Sequence, residues 1–297
     1  MQYKAGFVGI IGQPNAGKST LLNALLGEKL AIVTRKPQTT RQRICGIHSS
    51  ENAQVVFLDA PGVIQSTAGL NKFLQEEYEA VIEESDFLLV VLNVDAKKKE
   101  ELEVIIDLAK ASGKPFGVII SKCDLKFPHR KLWIMSQVSA EAKFVLDVCA
   151  RNRPQEAQDL VLGELYPYLP DSPAPLYDPE LYTTQNMREL ASELVREKCF
   201  EYLHAEIPYG LAVQVNKYEE SPSIDKIYAQ IFISKQAHRS MVIGQGGSKL
   251  KKIGMTARQD LEKVLGKKVY LDVHVSVKKN WMKNAQVMQE LGYVQPS

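Results

Sequence analysis

The sequence predicts an α/β fold with a mostly parallel sheet and helices on both faces, followed by a smaller α+β domain. In the first half, short β-branched runs alternate with amphipathic segments of helical period, which is typical of parallel strands joined by crossover helices. Near the middle the composition becomes proline-rich, and the chain beyond it is basic. Its 297 residues are enough for two domains that each bury a core.

Each element of the first domain follows from a local pattern. Strands are predicted where apolar, β-branched runs are bounded by turn residues, at 6–12, 54–62, 86–95 and 116–124, with a weaker candidate at 133–140. Helices are predicted where apolar residues recur at helical spacing, at 18–26, 70–84, 98–112 and 154–165.

A proline-rich stretch separates the two domains. The five prolines of 166–180 are too many for a helix or a central strand, so we predict an ordered linker. The domain boundaries are then 1–168, 169–185 for the linker, and 186–297. The second domain is predicted to have helices at 186–203 and 248–265 and strands at 209–220, 226–235 and 268–277.

Charge is distributed unevenly along the chain. The span 235–283 holds twelve Lys and Arg residues against three acidic ones, a balance of +9, whereas the whole chain carries only +2. Such asymmetry indicates a nucleic-acid-binding face in the second domain. The alternative is a solvated basic surface that binds no partner.

The cysteines and the apolar runs indicate in which cellular compartment the protein is located. Cys45, Cys123, Cys149 and Cys199 are far apart in sequence, form no C-x-x-C pair, and are predicted to be reduced thiols of a cytosolic protein. We see no secretory signal and no apolar run of membrane-spanning length, so the predicted location is the cytoplasm.

The segment "GQPNAGKS" fits the phosphate-loop pattern G-x-x-x-x-G-K-[ST] between a predicted strand and a predicted helix. Glycines let backbone N–H groups face phosphate oxygens, and the helix N-terminus adds partial positive charge. Lys18 is predicted to reach the β- and γ-phosphates and Ser19 to ligate Mg²⁺. The nucleotide-binding residues of this loop are Gly12, Gln13, Pro14, Asn15, Ala16, Gly17, Lys18 and Ser19.

The next strand ends in the D-x-x-G motif Asp59-Ala60-Pro61-Gly62, which Val63 follows. We predict that all five residues border the nucleotide. Asp59 would hold the Mg²⁺ shell through water, and the Gly62 N–H would sense the γ-phosphate.

A later strand ends in Ser121-Lys122-Cys123-Asp124, at the sheet edge where such folds bind ligands. A carboxylate can accept from both N1–H and the 2-amino group of guanine, so Asp124 predicts guanine selection and argues against an ATP-dependent enzyme. The Lys122 stem would pack over the ring, and "VSA" at 138–140 would give a backbone N–H to guanine O6. Taken alone, the tetrapeptide could also be a polar strand end.

Together these motifs resemble a translation-factor-class GTPase of the Ras-like superfamily. That resemblance implies GTP hydrolysis, with Lys18, Thr40 and Gly62 as catalytic residues. In that superfamily the motif that reads the base is usually N-K-x-D, and its Asn also holds the phosphate loop in place. Here Ser121 stands at the position of the Asn. The loss of one such hydrogen bond would weaken nucleotide binding by about 1 kcal/mol. Relatives often have Gln at the position of Val63, which has no hydrogen-bonding side chain, so we expect slow intrinsic turnover.

The second domain resembles a KH domain of the bacterial type, type II. Its G-x-x-G segment lies between predicted helices, and such loops clamp the nucleic-acid backbone, although G-x-x-G alone is often only a turn. The predicted RNA-binding residues are Gly244, Gln245, Gly246, Gly247, Lys249, Lys251 and Lys252.

A GTPase domain followed by one KH domain within 297 residues resembles the Era family. In "KPQTTRQRICGI" at 36–47, which is similar to that family's first switch, Thr40 would be a second Mg²⁺ ligand, with Thr39 as the alternative. Asn15 would help to hold K⁺. The resemblance also implies a monomer that binds GTP or GDP and the 3′ end of 16S rRNA, acts in 30S subunit assembly, and associates peripherally with the inner membrane. The alternative is an RNA-binding assembly factor that binds nucleotide with little turnover.

Overall fold

The computed structural model describes residues 2–34, 36, 39–62 and 68–293. Contacts between Cα atoms divide the chain into two compact units. Unit one contains the described residues of 1–31, 40–65 and 74–184. Unit two contains those of 32–39, 66–73 and 185–297.

Unit one is built on a six-stranded sheet. Its strands are β1 (Lys4–Gly12), β2 (Ile44–Ser49), β3 (Ala53–Asp59), β4 (Phe87–Asn93), β5 (Phe116–Ser121) and β6 (Val145–Val148). They lie in the order β2-β3-β1-β4-β5-β6, and every neighbouring pair is parallel except β2 with β3. The carboxyl ends of β1, β3, β4, β5 and β6 therefore meet at one edge, where ligands bind in sheets of this kind.

Helices cover both faces of this sheet. They are α1 (Lys18–Leu26), α2 (Gly69–Glu84), α3 (Lys99–Ala111), α4 (Pro128–Val138) and α5 (Pro154–Leu165). Buried residues of α2, α3 and α4 share one core cluster with alternate residues of the strands, while α1 and α5 pack together. All seven residues of β4 are buried, as expected for a strand covered on both sides. The predicted mostly parallel α/β fold is confirmed.

The prediction of a strand at 133–140 is wrong. This stretch lies in α4, where Pro128 occupies the first turn and Ile134 and Val138 are buried one helical turn apart. The sixth strand is β6, which has only four residues, one of them the exposed Asp147, so its apolar pattern is weak. The antiparallel strand β2 was not predicted either.

The stretch assigned to a linker packs on unit one up to Thr184. The Ser172 N–H donates to the Tyr3 carbonyl over 2.8 Å. The buried Gln54 amide donates to the Tyr177 carbonyl over 2.8 Å. The Thr183 hydroxyl donates to the carbonyl of Cys45, at the edge strand β2, over 2.6 Å.

Unit two has the helix and strand order of a type II KH domain, as predicted. Its elements are α6 (Met187–Tyr202), β7 (Leu211–Glu219), β8 (Ile224–Ile233), α7 (Arg239–Ile243), α8 (Ser248–Leu265), β9 (Lys268–Val277) and a further helix, α9 (Ala285–Glu290). The central strand β8 pairs antiparallel with β7 and parallel with β9. Its alternate residues Ile227, Ala229, Ile231 and Ile233 are buried. A capping box formed by Asn186 and Glu189 begins α6.

Among the described residues, no helix combines the length and the apolar character needed to span a membrane.

Candidate functional site

The phosphate loop connects β1 to α1, as the motif requires. The Lys18 ammonium is buried and donates to the carbonyls of Gly12 and Gln13 over 3.1 and 3.0 Å, so the lysine folds back along the loop. Burial lowers the pKa of Lys18 to about 8, although the nearby Asp59 carboxylate opposes the shift. Asn15, at the exposed tip of the loop, has a left-handed backbone with φ of 63°.

Three oxygen-bearing side chains meet behind the loop. The Ser19 hydroxyl donates to Asp59 Oδ2 over 2.7 Å and lies 3.0 Å from the Thr40 hydroxyl. Burial raises the pKa of Asp59 to about 6, while Lys18 and the Ser19 hydrogen bond oppose the rise. A buried carboxylate of this kind is stabilised in its charged form by an added cation.

The chemistry of this cluster fits Mg²⁺. One carboxylate and two hydroxyls are hard oxygen donors, the class that this ion prefers. Within the described residues, Asp59 Oδ1 is buried and accepts no hydrogen bond, so it has capacity for a further partner such as a metal-bound water. Ser19, Thr40 and Asp59 could therefore hold the ion that shields a nucleotide's phosphates.

The geometry favours Thr40 over Thr39 as the hydroxyl of this cluster. Thr39 belongs to unit two, and its Oγ1 lies 2.8 Å from Thr34 Oγ1. The Thr39 carbonyl accepts a hydrogen bond from the buried Arg196 guanidinium of α6. These contacts engage the side chain and the carbonyl of Thr39, whereas the Thr40 side chain is buried next to Ser19.

The D-x-x-G turn lies directly against the phosphate loop. A Cβ at Gly62 would come within 2.7 Å of the Pro14 ring and 2.9 Å of the Pro14 nitrogen, so only glycine fits this approach. Ala60 is buried beside the end of β3. Val63, predicted to border the nucleotide, lies outside the described residues.

The loop after β5 is joined to the phosphate loop. The buried Ser121 hydroxyl donates to the Ala16 carbonyl over 2.6 Å, so the serine provides the tie expected from the longer Asn of the usual motif. Lys122 adopts φ of 58° and donates to both oxygens of Asp95 over 2.9 and 3.0 Å. Burial alone would raise the pKa of Asp95. Hydrogen bonds from Asn93 and Lys122 outweigh this effect and hold the pKa below its usual value.

Asp95, which holds Lys122 at the candidate site, was not predicted from the sequence. It follows β4, which lies next to β5, and its ion pair fixes the direction of the Lys122 stem. The signal was present in the sequence as "NVD" at a strand end, the same kind of position that identified Asp124.

The predicted base contact from 138–140 is wrong. Val138 ends α4, and the Ser139 N–H donates to the Met135 carbonyl of that helix over 3.0 Å. The turn after β6 borders Asp124 instead, because Cys149 Sγ lies 3.7 Å from Asp124 Oδ1. This turn was not predicted because the sequence of β6 has only a weak strand pattern.

The prediction that all four cysteines are reduced is also wrong. Cys123 and Cys149 form a disulfide, with their Cα atoms 5.5 Å apart. Cys45 and Cys199 are free.

Unit two contains a groove of about 530 Å³ beside the G-x-x-G turn. Its lining residues are Gly247, Leu250, Lys251, Gly254, Met255, Arg258, Leu271 and Val273. Gly244 has φ of +76°, and a Cβ there would lie 2.9 Å from the Lys249 nitrogen, so the turn requires glycine.

Two of the predicted RNA-binding lysines, Lys251 and Lys252, differ in position. Lys251 lines the groove together with Arg258, which was not predicted from the sequence. Lys252 instead places its ammonium 4.6 Å from the ring centroid of Tyr202. Helical spacing from Lys251 would have identified Arg258, seven residues further along the same face of α8.

The first unit is thus a P-loop GTPase domain, and the second unit is a KH domain. A family model for "50S ribosome-binding GTPase" matches residues 7–122, and one for the KH domain matches 206–282. GTPase Era of Syntrophus aciditrophicus is 39% identical over 295 residues, covering 99% of this chain and 96% of the relative. GTPase Era of Nitratidesulfovibrio vulgaris is 38% identical over 301 residues, covering 98% and 97%.

Two solved structures are similar over nearly the full length. A variant of Aquifex aeolicus Era bound to GDP·AlF4⁻ has a TM-score of 0.90 and 31% identity, with 98% of this chain and 100% of that one covered. Era in complex with MgGDPNP and nucleotides 1506–1542 of 16S rRNA has a TM-score of 0.89 and 31% identity, with 99% and 100% covered. The chain belongs to the Era family of GTPases, and it is an enzyme that converts GTP to GDP and phosphate.

Proposed function

We propose that the phosphates of GTP lie on the backbone amides of 12–19 and that Asp124 reads the guanine edge. The observation that carries this assignment is the convergence of Lys18, Ser19, Thr40 and Asp59 behind the phosphate loop. Ser19 and Thr40 would ligate Mg²⁺ and Asp59 would hold its water shell. When bound, the ion would offset the negative charge of the phosphates.

In the proposed reaction, this chain's residues act by position and charge. The Lys18 ammonium would leave the Gly12 and Gln13 carbonyls and donate to phosphate oxygens, because these are stronger acceptors. The Gly62 N–H would donate to the γ-phosphate, and Thr40 would close over the site from the first switch. Ala60, Pro61 and Gly62, which follow Asp59 in the D-x-x-G turn, have no polar side chain that could orient the attacking water, which supports the proposal of slow intrinsic turnover.

We expect hydrolysis that is slow in NaCl and faster in KCl, because Asn15 is proposed to help hold K⁺ beside the phosphates. Asn15→Gly removes the amide but keeps the left-handed backbone, so it should lower the KCl rate to the NaCl rate. The measurement is phosphate release from GTP by the full chain, with and without RNA. Equal turnover of the unaltered chain in both salts would remove the potassium proposal. Turnover near zero under every condition would favour the alternative of an RNA-binding factor that only holds nucleotide.

The proposed partner of the KH domain is the 3′ end of 16S rRNA. Support comes from the relative solved with nucleotides 1506–1542 of that RNA and from the groove beside the G-x-x-G turn, which Lys251 and Arg258 line together with apolar residues. Glycines at this turn allow close approach of a nucleic-acid backbone, and Lys251 and Arg258 offer positive charge. On the family resemblance we further propose a role in 30S subunit assembly, as a cytoplasmic monomer with peripheral contact to the inner membrane.

Two groove substitutions should weaken RNA binding more than a neighbouring one. Lys251→Ala and Arg258→Ala should each lower the slope of log affinity against log salt by about 0.7, since one phosphate contact is lost. Lys252→Ala is the matched control, because its ammonium lies over Tyr202, and its slope should change less. Fluorescence anisotropy with an oligonucleotide of the 16S 3′ end, over a salt series, measures all three. An equal effect of the three substitutions would contradict the assignment of the groove.

A further inference from the structure

The disulfide lies at the base-reading part of the site. The last paired residues of β5 and β6 are Ser121 and Val148, so the adjacent strand ends bring Cys123 and Cys149 together. Cys123 is the residue immediately before Asp124, and Cys149 Sγ lies 3.7 Å from Asp124 Oδ1. The two sulfurs thus join the loop that reads guanine to the turn that borders it.

The other two cysteines are poor competitors for oxidation. Cys199 is fully buried, and burial raises the pKa of its thiol to about 12. Cys45 is half-buried, and burial raises the pKa of its thiol too. Thiolates are the reactive species in disulfide exchange, so both groups react slowly. Cys123 is half-buried and is more accessible than Cys149, which is 8% exposed.

We propose that Cys123 and Cys149 form a reversible redox site whose disulfide slows the release of guanine nucleotide. The site reacts with a low-molecular-weight disulfide of the glutathione class. This inference rests on the proposed role of Asp124 in reading guanine.

The reaction balances as a two-electron exchange. The Cys123 thiolate attacks one sulfur of oxidised glutathione, forms a mixed disulfide and displaces one glutathione thiolate. Cys149, as thiolate, then attacks the Cys123 sulfur and displaces the second glutathione. The protein dithiol is oxidised, one oxidised glutathione is reduced to two thiols, and the two cysteine protons go to solvent or to the leaving thiolates.

Two physical effects slow release in the oxidised state. The cross-link prevents the loop at 121–124 and the turn at 149 from separating, which pre-organises both sides of the base pocket. In the dithiol, the Cys149 S–H can donate weakly to Asp124, whereas the disulfide has no S–H and leaves that oxygen to the nucleotide.

The test uses the full chain loaded with mant-GDP and chased with excess GDP, after treatment with oxidised glutathione or with dithiothreitol. We expect release to be about three- to tenfold slower after oxidation, and restored by dithiothreitol. Peptide mass spectrometry should find the Cys123–Cys149 link only in the slow form. Equal or faster release from the linked form, or failure of the link to form, would overturn the proposal.

Two variants separate this site from the remaining cysteines. The double variant Cys123→Ser/Cys149→Ser can form neither the cross-link nor a mixed disulfide with glutathione at this site, so its release rate should be the same after both treatments. Cys45→Ser should keep the full redox response. A persistent response in the double variant would overturn the assignment. If neither redox form of the unaltered chain bound mant-GDP, the proposed guanine site itself would fail, and this inference with it.

Discussion

Replacing Asp124 by Asn should lower the affinity for GDP about 100-fold, because two hydrogen bonds from guanine to a charged acceptor are lost. The same change should raise the affinity for XDP. An Asn amide can donate to the 2-carbonyl of xanthine, where a carboxylate meets only another acceptor. Fluorescence titration with mant-GDP and mant-XDP measures both affinities on one protein.

Asp147→Asn is the matched control for this experiment. Asp147 is an exposed carboxylate on the neighbouring strand β6, where it pairs with Lys131. Its replacement should leave both affinities unchanged. If Asp124→Asn kept the preference for guanine over xanthine, the assignment of the base-reading loop would be refuted.

Lys18→Met should reduce the rate of GTP hydrolysis by about 10²- to 10³-fold, as expected when one charged donor to the transferred phosphoryl group is removed from a buried site. Methionine preserves most of the length and volume of the side chain. Burial disfavours the charge of Lys18, but the ammonium also offsets the charge of the buried Asp59, so the free energy of unfolding of the nucleotide-free protein is measured beside the activity to separate a folding defect from lost catalysis. Single-turnover phosphate release and thermal unfolding measure the two quantities.

Lys126→Met is the matched control, because Lys126 is exposed and lies outside the phosphate loop. Lys126→Met should hydrolyse GTP at the unaltered rate. A Lys18→Met protein that retained more than about a tenth of the activity would contradict a role of Lys18 at the γ-phosphate.

Residues in contiguous motifs could be predicted because backbone geometry and chemistry are encoded together there. The phosphate loop needs glycine, lysine and a hydroxyl at fixed spacing between a strand and a helix, and the structure has that context. Asp59 and Asp124 could be placed for a related reason, since parallel strands end at one edge. Their roles toward the nucleotide remain predictions.

Contacts between distant segments could not be predicted in the same way. Asp95 pairs with Lys122 only because β4 and β5 are neighbours, and Cys149 approaches Asp124 only because β6 adds to β5. Strand order is a tertiary property that no local pattern encodes. The short β6 and the half-exposed β2 also lack the continuous apolar run that identifies a central strand.

Tyr182 and Thr183, which precede the KH domain, cover part of the edge of the six-stranded sheet, and this contact affects the solubility of the protein. Strand β2 lies at the end of the sheet order, so its outer backbone groups could recruit a strand from another molecule. Here the Ile47 N–H donates to the Tyr182 carbonyl over 2.8 Å, and Thr183 pairs with Gly46. The chain's own backbone thus occupies part of that edge, which removes a template for intermolecular β-pairing and protects the protein against aggregation through this strand.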